Sequence, residues 1–210
     1  MKMSRPLILG ITGGVGSGKT EFSNGLRQLK VPVIDADAVA NEMVEKDTEI
    51  QQRLKSVFGE SIFTKTGKLK RTILGQKVFT DRTSLNQLNQ IMQAPLNQSI
   101  QNRIQSLIDN ESPKIIGLDM ATLYESGMDS ICDKTIVVDA PMEKRYEWLF
   151  KSRKWKREEI TDRMQMQWDV DEKKSRADIV IENRDDIQKL HDKAKIIFWH
   201  LLEEIESHPQ

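Results

Sequence analysis

The apolar positions of the chain fall into two alternating patterns. Five short runs, Leu7-Ile8-Leu9-Gly10-Ile11, Val31-Pro32-Val33-Ile34, Lys114 to Leu118, Thr135 to Asp139 and Asp178-Ile179-Val180-Ile181, are bounded by glycines, aspartates or polar turns, as buried strands are. Between them apolar residues recur three and four apart. Phe22, Leu26 and Leu29 do so after the first run, and Ile187, Leu190, Ala194, Ile197, Leu201 and Ile205 mark a closing amphipathic helix. Strand, helix and strand so close together predict a right-handed βαβ crossover, and therefore a parallel sheet.

From 36 to 109 the periodicity is helical throughout, as in Ile50, Leu54 and Val57 and again in Leu96, Ile100, Ile104 and Leu107. The stretch 142–176 is highly charged and carries Trp148, Trp155 and Trp168, with Ile160, Met164 and Trp168 on one face of a predicted helix. The expected organisation is a core of 1–35, 110–141 and 177–210, a helical insertion at 36–109, and a charged helical hairpin at 142–176 acting as a lid. The chain shows neither an internal repeat nor a low-complexity linker.

Composition narrows the partners. A chain of 210 residues suits one α/β domain with an insertion, and 38% hydrophobic with 30% charged residues fits a soluble protein. Lys+Arg and Asp+Glu both number 32, which gives no global attraction to nucleic acid or to an anionic membrane. Anion recognition must therefore be local, and the expected partner is a small molecule. Leu7 to Ile11 is too short for a signal-peptide core or a membrane span, so a cytoplasmic location is expected, as a monomer or small homo-oligomer. Cys132 is the only cysteine, which excludes an intrachain disulfide.

The chemistry enters at Gly13-Gly14-Val15-Gly16-Ser17-Gly18-Lys19-Thr20. It is a phosphate-binding loop by pattern, and it sits between a predicted strand and a predicted helix as that motif requires. Glycines let successive backbone N–H groups converge on phosphate oxygens, and the following helix points its positive end at them. Lys19 is expected on the β- and γ-phosphates of ATP, and the Thr20 hydroxyl on Mg²⁺. The fold class that follows is a P-loop NTPase-type α/β fold: a parallel five-stranded sheet flanked by helices, with a helical insertion and a helical lid.

Three further groups carry candidate chemistry. Asp35-Ala36-Asp37 follows the second run, and one of these carboxylates is expected to accept the proton of an attacking hydroxyl while the other caps a helix starting near Ala38. Asp119 closes the third run and is expected to reach Mg²⁺ directly or through water. Between 143 and 163 stand eight cations, among them Lys144, Arg145, Arg153 and Arg163, with five acids interleaved. Such a segment suits either a polyphosphate-covering lid or a solvated face of paired charges. His191, His200 and His208 lack a ligand pattern and are expected at the surface.

Gly10-Ile11-Thr12 running into the loop, with Val31-Pro32-Val33-Ile34-Asp35-Ala36-Asp37 behind it, resembles the dephospho-coenzyme A kinase family. So do Tyr124-Glu125-Ser126-Gly127, Gln167, Lys173 and Ala177-Asp178-Ile179-Val180-Ile181-Glu182-Asn183, so that the likeness spans nearly the whole chain. It departs where Gln93-Ala94-Pro95 replaces a usual His-Pro, where Ala121-Thr122-Leu123 replaces a usual Pro-Leu-Leu, and where Arg184 follows Asn183 in place of glycine. The chain thus resembles a somewhat divergent member.

The resemblance implies ATP-dependent phosphorylation of the ribose 3′-hydroxyl of dephospho-coenzyme A, the last step of coenzyme A biosynthesis. It further implies that the insertion holds the acceptor, that Asp37 is the base, that Arg145 or Arg153 acts from the lid, and that Asn183 lies near the adenine. A nucleoside or deoxynucleoside monophosphate kinase fits the same parts, with the substituted acceptor segments in its favour. A nucleotide-binding pseudokinase is the third possibility, against which the intact Lys19, Thr20 and Asp37 stand.

Overall fold

The computed structural model describes residues 5–79 and 81–207. Its sheet has five parallel strands, β1 (Leu7–Gly13), β2 (Val33–Asp35), β3 (Ile115–Asp119), β4 (Lys134–Asp139) and β5 (Ile179–Glu182), in the order β2-β3-β1-β4-β5. Each of the five apolar runs contributes a strand, and the P-loop type of α/β fold expected from them is present. β1 is central and flanked by β3 and β4, with Ile11 beside Asp119 and Gly13 beside Val138. The chain leaves β1 toward β2 on one side and later crosses to β4 on the other. The carboxyl end of β1 is thus the switch point where α/β sheets bind ligands.

Burial explains the unbroken apolar character of the strands. Leu9, Ile11, Ile136 and Val138 pack on one face against Phe22 and Leu26 of α1 (Lys19–Gln28) and Leu190, Ala194 and Leu201 of α9 (Ile187–Ser207). A fully buried side chain such as Phe22 contributes roughly 1.5–3 kcal/mol. The opposite face is covered at Gly10 by Leu123 and Cys132, so closely that a Cβ on Gly10 would come within 2.7 Å of Leu123. Burial pushes the Cys132 thiol up to about 12, which leaves it protonated and unreactive at neutral pH.

Residues 36–102 form a second compact unit. It contains α2 (Ala36–Lys46), α3 (Thr48–Phe58), α4 (Arg71–Val78) and most of α5 (Arg82–Glu111). Asp47 starts α3 by accepting from Glu49 N–H at 2.9 Å and Ile50 N–H at 3.1 Å. Val44, Ile50, Leu54, Phe58, Leu74 and Ile91 supply its own apolar core. α5 continues through Gln93-Ala94-Pro95 although Pro95 lacks the N–H that would bond the Ile91 carbonyl.

The charged segment differs from the expected hairpin, being three helices: α6 (Met142–Arg153), α7 (Arg157–Gln165) and α8 (Val170–Arg176). α6 stops where Lys154 turns left-handed at φ 58°, and Asp169 caps α8 by accepting from Asp171 N–H at 2.7 Å. Trp168, expected on a helix face with Ile160 and Met164, lies instead in the turn before α8, because its N–H is taken by Glu125 at 3.0 Å. No helix among the described residues is long and apolar enough to cross a membrane.

Candidate active site

The phosphate loop leaves β1 at Gly13 and enters α1 at Lys19. Gly16 and Gly18 hold φ of +74° and +94°, a backbone region in which a side chain is strained. Gly18 is the N-cap of α1 and brings no side-chain acceptor, so the first-turn amides remain available to an anion. Ser17 N–H donates to the Gly14 carbonyl at 3.1 Å, closing the loop on itself.

Three side chains seat the loop from outside. Arg145, one turn into α6, is 4% exposed, donates from Nε to the Val15 carbonyl at 2.8 Å, and lays its guanidinium where a Cβ on Gly14 would stand. Leu149, one turn further along α6, fills the space beside Gly16, where a Cβ would meet its Cδ1 at 2.6 Å. Asn183, just past β5, donates from Nδ2 to the Ser17 carbonyl at 2.9 Å and blocks a Cβ on Gly18. The glycines therefore serve both backbone conformation and close approach. Burial pulls the Arg145 guanidinium below its ordinary pKa, with Asp139 opposing, yet from so high a starting value it stays cationic.

Lys19 and Asp119 form an ion pair at the floor of the site, Asp119 being 3% exposed. Thr20 follows in the first turn of α1, its side chain exposed. The described residues contain no cluster of three His, Cys, Asp or Glu able to enclose a metal. A hydroxyl at Thr20 with one carboxylate at Asp119 is the sparse protein donor set suited to Mg²⁺, an ion that retains water and binds phosphate oxygens.

The other residues singled out from sequence fall as follows. Asp35 ends β2 in register with Asp119, and Asp37 stands in the first turn of α2, which begins at Ala36 rather than near Ala38. There a carboxylate faces the positive end of the helix. Arg153 lies at the exposed far end of α6, its guanidinium 4.8 Å from the centre of the Trp155 ring, on which Arg163 also rests at 4.0 Å. Asn183, expected near the adenine, has its amide committed to the loop backbone. His191 is not a surface residue but half-buried between α1 and α9, 3.4 Å from Gln28 Nε2 and 3.6 Å from Glu21. His200 is exposed, and His208 lies outside the described residues.

Two residues with no role assigned from sequence also belong here. Lys173 of α8 is fully buried, pairing with Glu125 at 2.7 Å and donating to the Ala121 carbonyl at 2.7 Å. Burial holds its ammonium below the ordinary lysine pKa, while the Glu125 contact opposes that shift. A glutamate and a lysine so distant along the chain give no local signal of pairing.

A phosphate loop at the carboxyl end of a central parallel strand, with a lysine–aspartate pair below it and a buried arginine across it, defines a P-loop kinase. The chain belongs to the dephospho-CoA kinase family: the model of that family, CoaE, matches residues 7–189. Among curated relatives, the dephospho-CoA kinase of Bacillus licheniformis is 37% identical over 178 residues, covering 84% of this chain and 88% of that protein. The Bacillus cereus enzyme of the same name is 33% identical over 199 residues, covering 94% and 99%.

Solved structures agree. TT1252 from Thermus thermophilus superposes with a TM-score of 0.75 at 29% identity, over 94% of this chain and 98% of that one. The dephospho-CoA kinase from Campylobacter jejuni gives 0.66 at 22% identity over 92% and 96%, a likeness of fold.

Proposed function

We propose that the chain transfers the γ-phosphate of ATP to the ribose 3′-hydroxyl of dephospho-CoA, completing coenzyme A. The observation that carries this reading is Arg145 buried against the backbone of the phosphate loop that leads into the Lys19–Asp119 pair, in a chain of this family. Phosphoryl transfer needs little covalent participation from protein; it needs positioned cations around a charge that spreads over the moving group.

The first-turn amides and Lys19 bind the phosphates, and Arg145 directs its remaining donors toward the same oxygens. Mg²⁺, held by Thr20 and Asp119 together with the phosphates, supplies further charge neutralisation when bound. Asp37 takes the proton from the acceptor hydroxyl. Asn183 supports nucleotide binding through the loop backbone rather than through the base. The insertion at 36–109 holds the acceptor, the segment 142–176 serves as lid, and the protein acts in the cytoplasm.

The direct test is ADP release by the purified protein with ATP and Mg²⁺, offered dephospho-CoA or a panel of nucleoside monophosphates. Turnover with dephospho-CoA is expected; release with one monophosphate and none with dephospho-CoA would overturn the assignment. Asp37→Asn is expected to leave ATP affinity near that of the parent while turnover falls about 10²-fold, as loss of a positioned base does. Unchanged turnover would return Asp37 to a purely helix-stabilising role.

A further inference from the structure

A fully buried ammonium is costly unless it is well paired, and an apolar residue of similar volume would fill the same space at no such cost. Lys173 is such a group, and its bonds go to Glu125 and the Ala121 carbonyl rather than to the phosphate loop. Its two partners reveal a linkage. The Ala121 carbonyl that it bonds also accepts from the Thr12 hydroxyl at 2.9 Å, and Thr12 immediately precedes the loop. Ala121 lies two residues beyond Asp119, and Met120 N–H between them donates to the Ile11 carbonyl at 2.9 Å. The other partner, Glu125, uses the same Oε1 to hold both Lys173 and the Trp168 N–H. Trp168 in turn stacks on Tyr124, with ring centres 6.5 Å apart and planes within 8°.

We propose that Lys173 is a positioning residue for phosphoryl transfer: with Glu125 it fixes the Ala121 carbonyl against Thr12 and so sets the turn that carries Asp119. Asp119 in turn holds Lys19. Displacing a reacting group by about 1 Å can cost about 10²-fold in rate, so the effect of Lys173 reaches the reaction through this turn without contact to substrate. Nearness to the site is also visible electrostatically, since the Lys19 charge works against the Lys173 ammonium.

The inference rests on the phosphotransfer reading, and the experiment separates the two. Failure of the parent protein to release ADP with dephospho-CoA would defeat that reading; an active parent lets the variants judge Lys173. Glu125→Gln keeps volume and a hydrogen-bond acceptor but removes the charge, and is expected to lower kcat about tenfold with KM for ATP changed less than about twofold. Lys173→Met is expected to lower kcat about 10²-fold. Combining Lys173→Met with Glu125→Leu removes both charges, and is expected to bring the melting temperature back toward the parent without restoring kcat. Recovery of kcat together with stability, or a parental kcat in Glu125→Gln, would show the pair to be structural only and overturn the proposal.

Discussion

The two ends of α6 carry the same residue type in contrasting settings. At its start Arg145 is buried, bonded to the loop backbone and backed by Leu149 against Gly16. At its end Arg153 is exposed and lies on Trp155, a ring it shares with Arg163. Along the segment the charges are dense and mixed, and several pair among themselves, as Lys151 does with Glu147 and Arg157 with Glu143. Such exposed pairs are screened by solvent and contribute little to stability. Cation density therefore says little about function; a guanidinium removed from water and aimed at backbone that binds phosphate says much more.

The sharpest way to break this comparison is Arg145→Ala. Removing a cation from the transition-state charge is expected to lower kcat/KM for ATP-dependent transfer about 10²–10³-fold. Steady-state ADP release measures it. A loss below about tenfold would mean that Arg145 merely packs the loop.

Next in size is Gly16→Ala, which probes the packing that holds α6 to the loop. With φ at +74° and Leu149 Cδ1 2.6 Å from the new methyl, the cost in stability is expected at about 1–3 kcal/mol, with weakened nucleotide binding. Thermal unfolding with and without ATP reads both quantities. Placing Gly16→Ala in a Leu149→Ala background removes the clash and leaves only the backbone strain. An undiminished penalty there would assign the whole effect to φ.

Arg145→Lys separates charge from shape. Lysine keeps the cation but cannot reproduce the planar fork that bonds Val15 while facing phosphate, so a loss of about tenfold in kcat/KM is expected. Full activity would mean that a point charge suffices at this position.

What the sequence could tell about these parts follows the same division. All five strands announced themselves, because a sheet buried on both faces needs runs such as Ile136-Val137-Val138 that no turn or exposed helix would carry. The loop from Gly13 to Thr20 was equally plain, since its glycines, lysine and threonine answer local demands of backbone and phosphate. Arg145 and Arg153 were indistinguishable, because burial is a tertiary property and both stand in one run of charge. Trp168 was misplaced on a helix for a related reason: apolar spacing fitted, and only the contact with Glu125 shows that its backbone is spent elsewhere. Asn183 was visible as a residue after the last strand, but its bond to the Ser17 carbonyl joins opposite ends of the chain and leaves no local trace.

The smallest expected effect belongs to Arg153→Ala, and it completes the comparison. Arg153 is exposed, and its ring contact is of the kind worth about 0.5–1 kcal/mol at a surface. Arg163 stays on Trp155 after the substitution, half-buried and 4.0 Å from the ring centre, so the local platform keeps one of its two cations. A change of less than about threefold in kcat/KM is expected, with stability within about 0.5 kcal/mol of the parent. A loss matching that of Arg145→Ala would show instead that the far end of α6 reaches the triphosphate during turnover, and that exposure alone does not separate a catalytic arginine from a solvated one.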